Sequence, residues 1–242
     1  MTGTPPRRVP SDGVLACQCS SPWTELTAAT RMEWLTEAQR IRGMRAPSPP
    51  AWVAGIDEVG LGPLAGPVVV AAVVLPRGLL LPHLDDSKKL SAQERKALYP
   101  LIVSSAISLS VAFAEAREID ESGLMPSVGS AMRRALDRIA PIPDLVLVDG
   151  KNRIVGAGFP QRTVIRGDSR YDCIAAASVV AKVVRDTRMR IIDRRFPGYS
   201  MDTNKGYGTR QHLAAIHALG PTPQHRLSFL GNYDDQLGLF DR

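Results

Sequence analysis

The chain has 242 residues, 44% of them hydrophobic, which is enough to bury one sizeable core plus an extension but not two large independent domains. Its formal charge of +6 and pI near 9.5 suit a polyanionic partner such as nucleic acid. Three cysteines, Cys17, Cys19 and Cys173, exclude a disulfide framework and fit a reducing compartment. Pro5, Pro6, Pro10 and Asp12 break up any apolar core near the start, so no signal peptide is expected. The apolar stretch Leu64–Leu81 is cut by Gly66-Pro67 and Pro76-Arg77-Gly78, and so predicts a buried strand rather than a membrane span. A soluble, cytoplasmic protein is the expectation.

Residues 1–22 are rich in Pro, Ser, Thr and Gly and carry no periodicity, whereas Leu26, Met32, Leu35 and Ile41 are spaced for a helix over Thr24–Ile41. The Pro-rich joint at 46–50 closes this N-terminal extension, residues 1–50. Short β-branched runs bounded by Gly and Pro predict strands at Trp52–Ile56 and Val68–Leu75, with a third at Ile107–Ala114. Ser91-Ala-Gln-Glu94 has capping-box spacing and predicts a helix running to about Ser104. After Pro126, the Met132, Leu136 and Ile139 stripe predicts another. Strands follow at Leu145–Val148 and Thr163–Ile165, the intervening helix implying a parallel crossover and hence a mixed sheet. The longest helix is predicted over Tyr171–Arg194, with Lys182, Arg185, Arg188, Arg190 and Arg194 on a basic face open to solvent or nucleic acid.

Four acids stand where hydrophobic runs end in glycine: Asp57, Glu58, Asp149 and Asp168. In a sheet with parallel strands, ligands collect beyond the strands' carboxyl ends, where Asp149 sits and where Asp168 follows its own strand. Neighbouring residues of a regular strand face opposite ways, so Asp57 and Glu58 are expected to share a site through a break in the strand that Gly60 permits. Four gathered carboxylates repel one another and call for cations. Two divalent ions would offset their charge, and oxygen-only ligands suit Mg²⁺ or Mn²⁺.

The segments Gly55-Ile-Asp-Glu-Val-Gly-Leu-Gly-Pro-Leu-Ala-Gly-Pro67, Asp86-Ser-Lys-Lys-Leu90, Leu147-Val-Asp-Gly150, Arg166-Gly-Asp-Ser-Arg170 and Lys205-Gly-Tyr207 resemble ribonuclease HII in order and spacing, over residues 52 to about 231. The resemblance implies an α/β, ribonuclease-H-like fold: a mixed five-stranded sheet flanked by helices, with a helical C-terminal part, in a catalytic domain spanning 51–231. It implies a metal-dependent endonuclease that hydrolyses the RNA strand of RNA–DNA hybrids. Such an enzyme also cuts 5′ of single ribonucleotides in duplex DNA, leaving 3′-hydroxyl and 5′-phosphate ends, in ribonucleotide repair and replication. Asp57, Glu58, Asp149 and Asp168 match the family's metal-binding acids. Gly60, Leu61 and Gly62 match its ribose-sensing Gly-Arg-Gly, with leucine where the family has arginine. Tyr207 matches the tyrosine that packs beside the scissile phosphate, and Ser87 and Lys88 match backbone-binding positions. Two alternatives stand beside this reading: a ribonuclease-H-like nuclease with relaxed sugar choice, since fold does not settle substrate, and, because of Leu61, a hybrid-binding module that does not cleave.

The tail, residues 232–242, ends in Gln236-Leu-Gly-Leu-Phe240, which resembles the peptide by which bacterial replication and repair proteins bind the sliding clamp. Gln236 would supply orienting hydrogen bonds, and Leu237, Leu239 and Phe240 apolar anchors for a preformed groove.

Overall fold

The computed structural model describes residues 52–79, 81, 84 and 90–231. The expected N-terminal helix, Ser87, Lys88 and the Gln236–Phe240 peptide lie outside the described residues. Among the described residues five strands, β1 (Val53–Val59), β2 (Val68–Val74), β3 (Ser108–Ala114), β4 (Leu145–Asp149) and β5 (Gln161–Val164), form one sheet in the order β3-β2-β1-β4-β5. β1 pairs antiparallel with β2 and β2 with β3, while β1–β4 and β4–β5 are parallel, so the sheet is mixed as expected. The helices are α1 (Ala92–Ser105), α2 (Ala116–Ser122), α3 (Leu124–Leu136), α4 (Asp172–Arg195), α5 (Met201–Asn204), α6 (Arg210–Leu219) and α7 (Leu227–Leu230).

Alternation along the strands sorts side chains into two layers. On β2, Val68, Val70, Ala72 and Val74 face a core shared with α3, whereas Val69, Ala71 and Val73 face one shared with α1 and α4. All are fully buried, and each valine contributes roughly 1.5–3 kcal/mol over an exposed position, so β2 tolerates no polar replacement on either side. A run of continuous hydrophobics is what a strand covered on both faces requires.

α4 is amphipathic only in its second half. From Cys173 to Ala181 it is buried almost all round by small residues, which let it lie close against the sheet. The approach is closest at Gly55, where an added Cβ would stand 2.3 Å from the Cys173 carbonyl carbon and 2.4 Å from the Ile174 nitrogen. β1 therefore presents a glycine there because the helix backbone occupies the space of a side chain.

Three expectations need correction. Pro126 does not precede α3 but sits inside its first turn, where N–H groups have no intrahelical partner and a proline removes nothing. α2 is a helix the pattern did not announce, since Arg117, Glu118, Asp120 and Glu121 leave Ile119 as its one large buried side chain. Arg185 is not on a solvated basic face; it is buried, 1% exposed, and Lys182 and Arg188 are paired with Asp186 and Glu115. The Ser91 capping box is present as expected, Ser91 Oγ accepting from the Glu94 N–H and Glu94 accepting from the Ser91 N–H.

Gly55→Ala is expected to lower stability by about 3 kcal/mol, because the obstacle is rigid backbone rather than a flexible side-chain end. Urea unfolding of the full chain checks this; a midpoint unchanged from the wild type would show that α4 can withdraw without cost.

Candidate active site

β1 and β4 lie side by side and parallel, Ile56 opposite Val148, so their next residues, Asp57 and Asp149, are neighbours at the carboxyl edge of the sheet. β1 does not break at the acidic pair. Its register with β2 continues through Asp57↔Ala71, Glu58↔Val70 and Val59↔Val69, and the chain turns at Gly60, φ +99°. Asp57 consequently faces α4, where Ser178 hydrogen-bonds to it, and Glu58 faces the α3 layer. The expectation that both share a site through a strand break is thus replaced by a strand edge with one acid on each side.

Asp168 arrives by another route. After β5, Arg166 adopts a left-handed conformation, φ 54°, and a single 3₁₀ turn, Gly167–Ser169, carries Asp168 inward to 2% exposure. The Gly167 N–H donates to Asp149 Oδ1 at 2.7 Å, tying that turn to the end of β4. Asp57 Oδ1 likewise accepts the Glu58 N–H, at 2.8 Å. All four acids therefore stand at one edge, each placed by backbone rather than by long side-chain reach.

Electrostatics at this edge are unfavourable to the charged state. Burial, then repulsion from Glu58 and Asp149, pushes the Asp57 carboxyl up to about 8, against the opposing hydrogen bond from Ser178. Burial and Asp149 push Glu58 up to about 7. Among the described residues, Glu58 Oε2 is buried without a hydrogen-bond partner. No three acidic, histidine or cysteine side chains among the described residues converge tightly enough to enclose an ion as they stand. The donor set nevertheless fits hard divalent cations: oxygen ligands alone, with the Asp57 and Glu58 carboxyls raised by burial and by neighbouring carboxylates, and Glu58 Oε2 left without a hydrogen bond among the described residues.

A cleft of about 800 Å³ opens from Glu58 and Asp149 and runs along 150–155, past Lys151 and Arg153, to Met125 and Arg133 on α3. Directly after β1 the chain enters the loop that joins it to β2, residues 60–67. Tyr207 is half exposed, 48%, and its ring edge would stand 3.8 Å from a Cβ added at Gly62, so the aromatic and the two-glycine segment are neighbours as their roles in the resemblance imply. Leu61 is half-buried against the α3-side core.

Under this loop lie Arg226, which the sequence did not single out, and Arg185, expected on an open basic face. Arg226, fully buried, donates to the carbonyls of Gly60 (2.7 Å), Leu61 (2.9 Å) and Gly66 (2.8 and 3.0 Å). Arg185 donates to Pro67 O at 3.1 Å and Ala65 O at 3.3 Å, and would collide with any Cβ at Gly60, its Nε being 2.2 Å away. Burial, and then Arg185, lowers the Arg226 guanidinium to about 10. Behind Tyr207, two buried histidines are locked as tautomers. The Thr222 N–H donates to His225 Nδ1 at 2.9 Å, so His225 carries its proton on Nε2 and gives it to His212 Nε2 at 3.1 Å. His212 must then hold its proton on Nδ1, which donates to Tyr207 O at 2.9 Å. Burial, with His212 close by, pulls His225 down to about 4, which keeps this chain neutral.

Residues 54–231 match the family model for ribonuclease HII. The chain belongs to the ribonuclease HII family. It is 52% identical to the ribonuclease HII of Syntrophotalea carbinolica, over 74% of this chain and 85% of that one. To that of Geobacter metallireducens it is 49% identical, over 74% and 84%. The ribonuclease H2 of Pyrococcus horikoshii OT3 shares the fold, with TM-score 0.66 and 22% identity over 77% of this chain and 99% of that one. A PCNA:RNase HII complex from Archaeoglobus fulgidus gives TM-score 0.61 and 25% identity over 73% and 94%. Bst-RNase HIII in complex with Mn²⁺ gives 0.55 and 20% over 85% and 73%. Family membership makes the chain an endoribonuclease of the ribonuclease H kind and a hydrolase.

The raised Asp57 carboxyl sets the sign of a pH effect. In the unfolded chain this group ionises near 3.8, so between about pH 4 and 8 the folded protein retains a proton that the unfolded chain has lost. Stability in chelator therefore falls as pH rises through that window. Asp57→Asn keeps an acceptor for the Glu58 N–H and removes the charge. It is expected to stabilise the chelated protein at pH 8, on the order of a few kcal/mol, with little change near pH 3. Urea midpoints across this range check it; parallel pH profiles for variant and wild type would show that Asp57 ionises freely in the fold.

Proposed function

We propose that the chain cuts duplex DNA on the 5′ side of an embedded ribonucleotide, as well as the RNA strand of RNA–DNA hybrids, leaving 3′-hydroxyl and 5′-phosphate ends. The observation that carries this reading is the juxtaposition at one sheet edge of four acids with the Gly60–Gly62 segment and the half-exposed Tyr207. Asp57, Glu58, Asp149 and Asp168 are the residues that would hold two divalent ions, Mg²⁺ or Mn²⁺. Bound there, such ions would activate a water and stabilise the departing 3′ oxygen of the scissile phosphodiester.

The protein's own groups do the rest. Ser178 and the Glu58 N–H fix the Asp57 carboxylate, and the Gly167 N–H fixes that of Asp149, so both are oriented before substrate arrives. The N–H groups of the Gly60–Gly62 segment suit the 2′-hydroxyl and adjoining phosphate, which demand close backbone approach. Tyr207 offers an aromatic face to the neighbouring sugar and base without reading sequence. Lys151 and Arg153 along the cleft suit the phosphates of the strand continuing from the cut. Ser87 and Lys88 are further backbone contacts on this reading. The residues 1–50 and 232–242 flank the catalytic domain as extension and tail.

For the tail, we propose that Gln236, Leu237, Leu239 and Phe240 dock in a groove of the bacterial sliding clamp, tethering the enzyme to newly made DNA and raising its local concentration there. The motif itself supports this, as does the pairing of the Archaeoglobus fulgidus ribonuclease HII with PCNA.

Given Mg²⁺ or Mn²⁺, the purified chain is expected to nick a duplex carrying one ribonucleotide, with end-labelled products showing a 5′ cut. Equal cutting of an all-DNA duplex would overturn sugar specificity, and no cutting with either metal would favour a binding module. Asp149→Asn keeps an oxygen for the Gly167 N–H and is expected to reduce turnover by on the order of 10³ or more while the chain stays folded. Deleting residues 236–242 is expected to abolish clamp binding in calorimetry and leave cleavage of a short duplex unchanged. Clamp affinity surviving the deletion would refute the tail as the anchor.

A further inference from the structure

The donors and acceptors of the 61–67 loop can be followed one by one. The N–H groups of Leu64 and Ala65 donate to Gly206 O, at 2.8 and 3.2 Å, and that of Gly66 to Gln224 O at 2.8 Å. Pro63 and Pro67 have none. Leu61 and Gly62 remain, and their N–H groups meet no carbonyl among the described residues. Their direction follows from peptide geometry. In a planar trans peptide the C=O and the following N–H point in opposite directions, and the peptides here are trans. Arg226 takes the carbonyls of Gly60 and Leu61 from beneath, so the N–H groups of Leu61 and Gly62 point the other way, to the side where Gly62 is exposed beside Tyr207.

We propose that Arg226 is a positioning residue for sugar recognition: by gripping the Gly60, Leu61 and Gly66 carbonyls with one guanidinium, it aims the Leu61 and Gly62 N–H groups outward as a fixed pair of donors. This rests on the proposed reading of the Gly60–Gly62 segment as the ribose sensor and adds the residue that sets it. A planar fork with its donors at fixed angles serves three carbonyls at once, which a lysine ammonium on a flexible stem does not. Arg185, donating to Ala65 O and Pro67 O, braces the far end of the same loop and prevents it from swinging as a unit. Among the described residues no carboxylate pairs directly with either cation; Asp120, which accepts from the Leu227 and Ser228 N–H groups, acts on Arg226 from a greater distance, as Asp186 does on Arg185.

The test uses full-length protein, wild type and Arg226→Lys. Amide hydrogen exchange in the free protein is expected to quicken in the variant at Leu64, Ala65 and Gly66, the loop amides that are hydrogen-bonded while Arg226 holds the loop, by about tenfold or more. The affinity for a duplex with one ribonucleotide, measured by anisotropy in an Asp149→Asn background, is expected to weaken by about tenfold, while affinity for the matching all-DNA duplex changes less than about twofold. A residue that only held the fold together would weaken both duplexes alike, and that result would overturn the proposal. Should Arg226→Lys fail to fold, wild type decides: its Leu61 and Gly62 amides are expected to gain protection with the ribonucleotide duplex and none with the all-DNA duplex, and equal protection by both would refute the assignment. Failure of the wild type to cut the ribonucleotide duplex at all would instead strike the functional reading, while the exchange comparison would still report on the grip of Arg226.

Discussion

Carboxylates resist being brought together out of water, and this chain brings four to one sheet edge with two of them, Asp57 and Asp168, almost fully buried. Nothing in a hydrophobic core favours such a gathering; it is imposed by hydrogen bonding along the parallel β1–β4 pair and by the turn after β5. The rest of the fold serves that imposition. α4 lies close enough to β1 at Gly55 for Ser178 to reach Asp57, and the valines of β2 hold β1 from its other side. The stability of the two apolar layers is the reservoir that offsets the repulsion at the edge.

A second cluster of like charge follows the same logic with opposite sign. Arg185 and Arg226 are buried near one another, and each is satisfied by main-chain carbonyls. Acids on one side of Gly60 and guanidiniums beneath it leave the loop between them with its backbone polar groups almost fully assigned. The histidine pair extends this order to Tyr207, whose carbonyl accepts from His212 while Gly206 O takes the Leu64 and Ala65 N–H groups. Loop and tyrosine are thus one hydrogen-bonded unit rather than two independent segments.

Much of this was legible in the sequence. Strand runs of β-branched residues, the Ser91 capping box and the long 172–195 helix carry strong local signals, and the four acids stand in motifs whose order identifies the family. Other features were illegible for physical reasons. Arg185 falls among Lys182, Arg188 and Arg190, and no periodicity distinguishes a buried arginine from its solvated neighbours until the loop that covers it is in place. Arg226 and His225 sit in a short segment, Gln224–Leu227, with no apolar stripe to announce burial. Asp57 and Glu58 misled in another way: a shared site suggested a broken strand, whereas the edge of a sheet is thin enough for acids on its two sides to sense the same neighbour, Asp149.

The grip on the Gly60 and Leu61 carbonyls separates main-chain geometry from side-chain identity at residue 61. Where a loop's shape is held from beneath by an arginine distant in sequence, the side chain on top is released from architectural duty and can drift or be recruited. Leucine here covers apolar surface of the α3-side core. Residue 61 is accordingly a place where engineering can tune grip on a strand without redesigning the pocket.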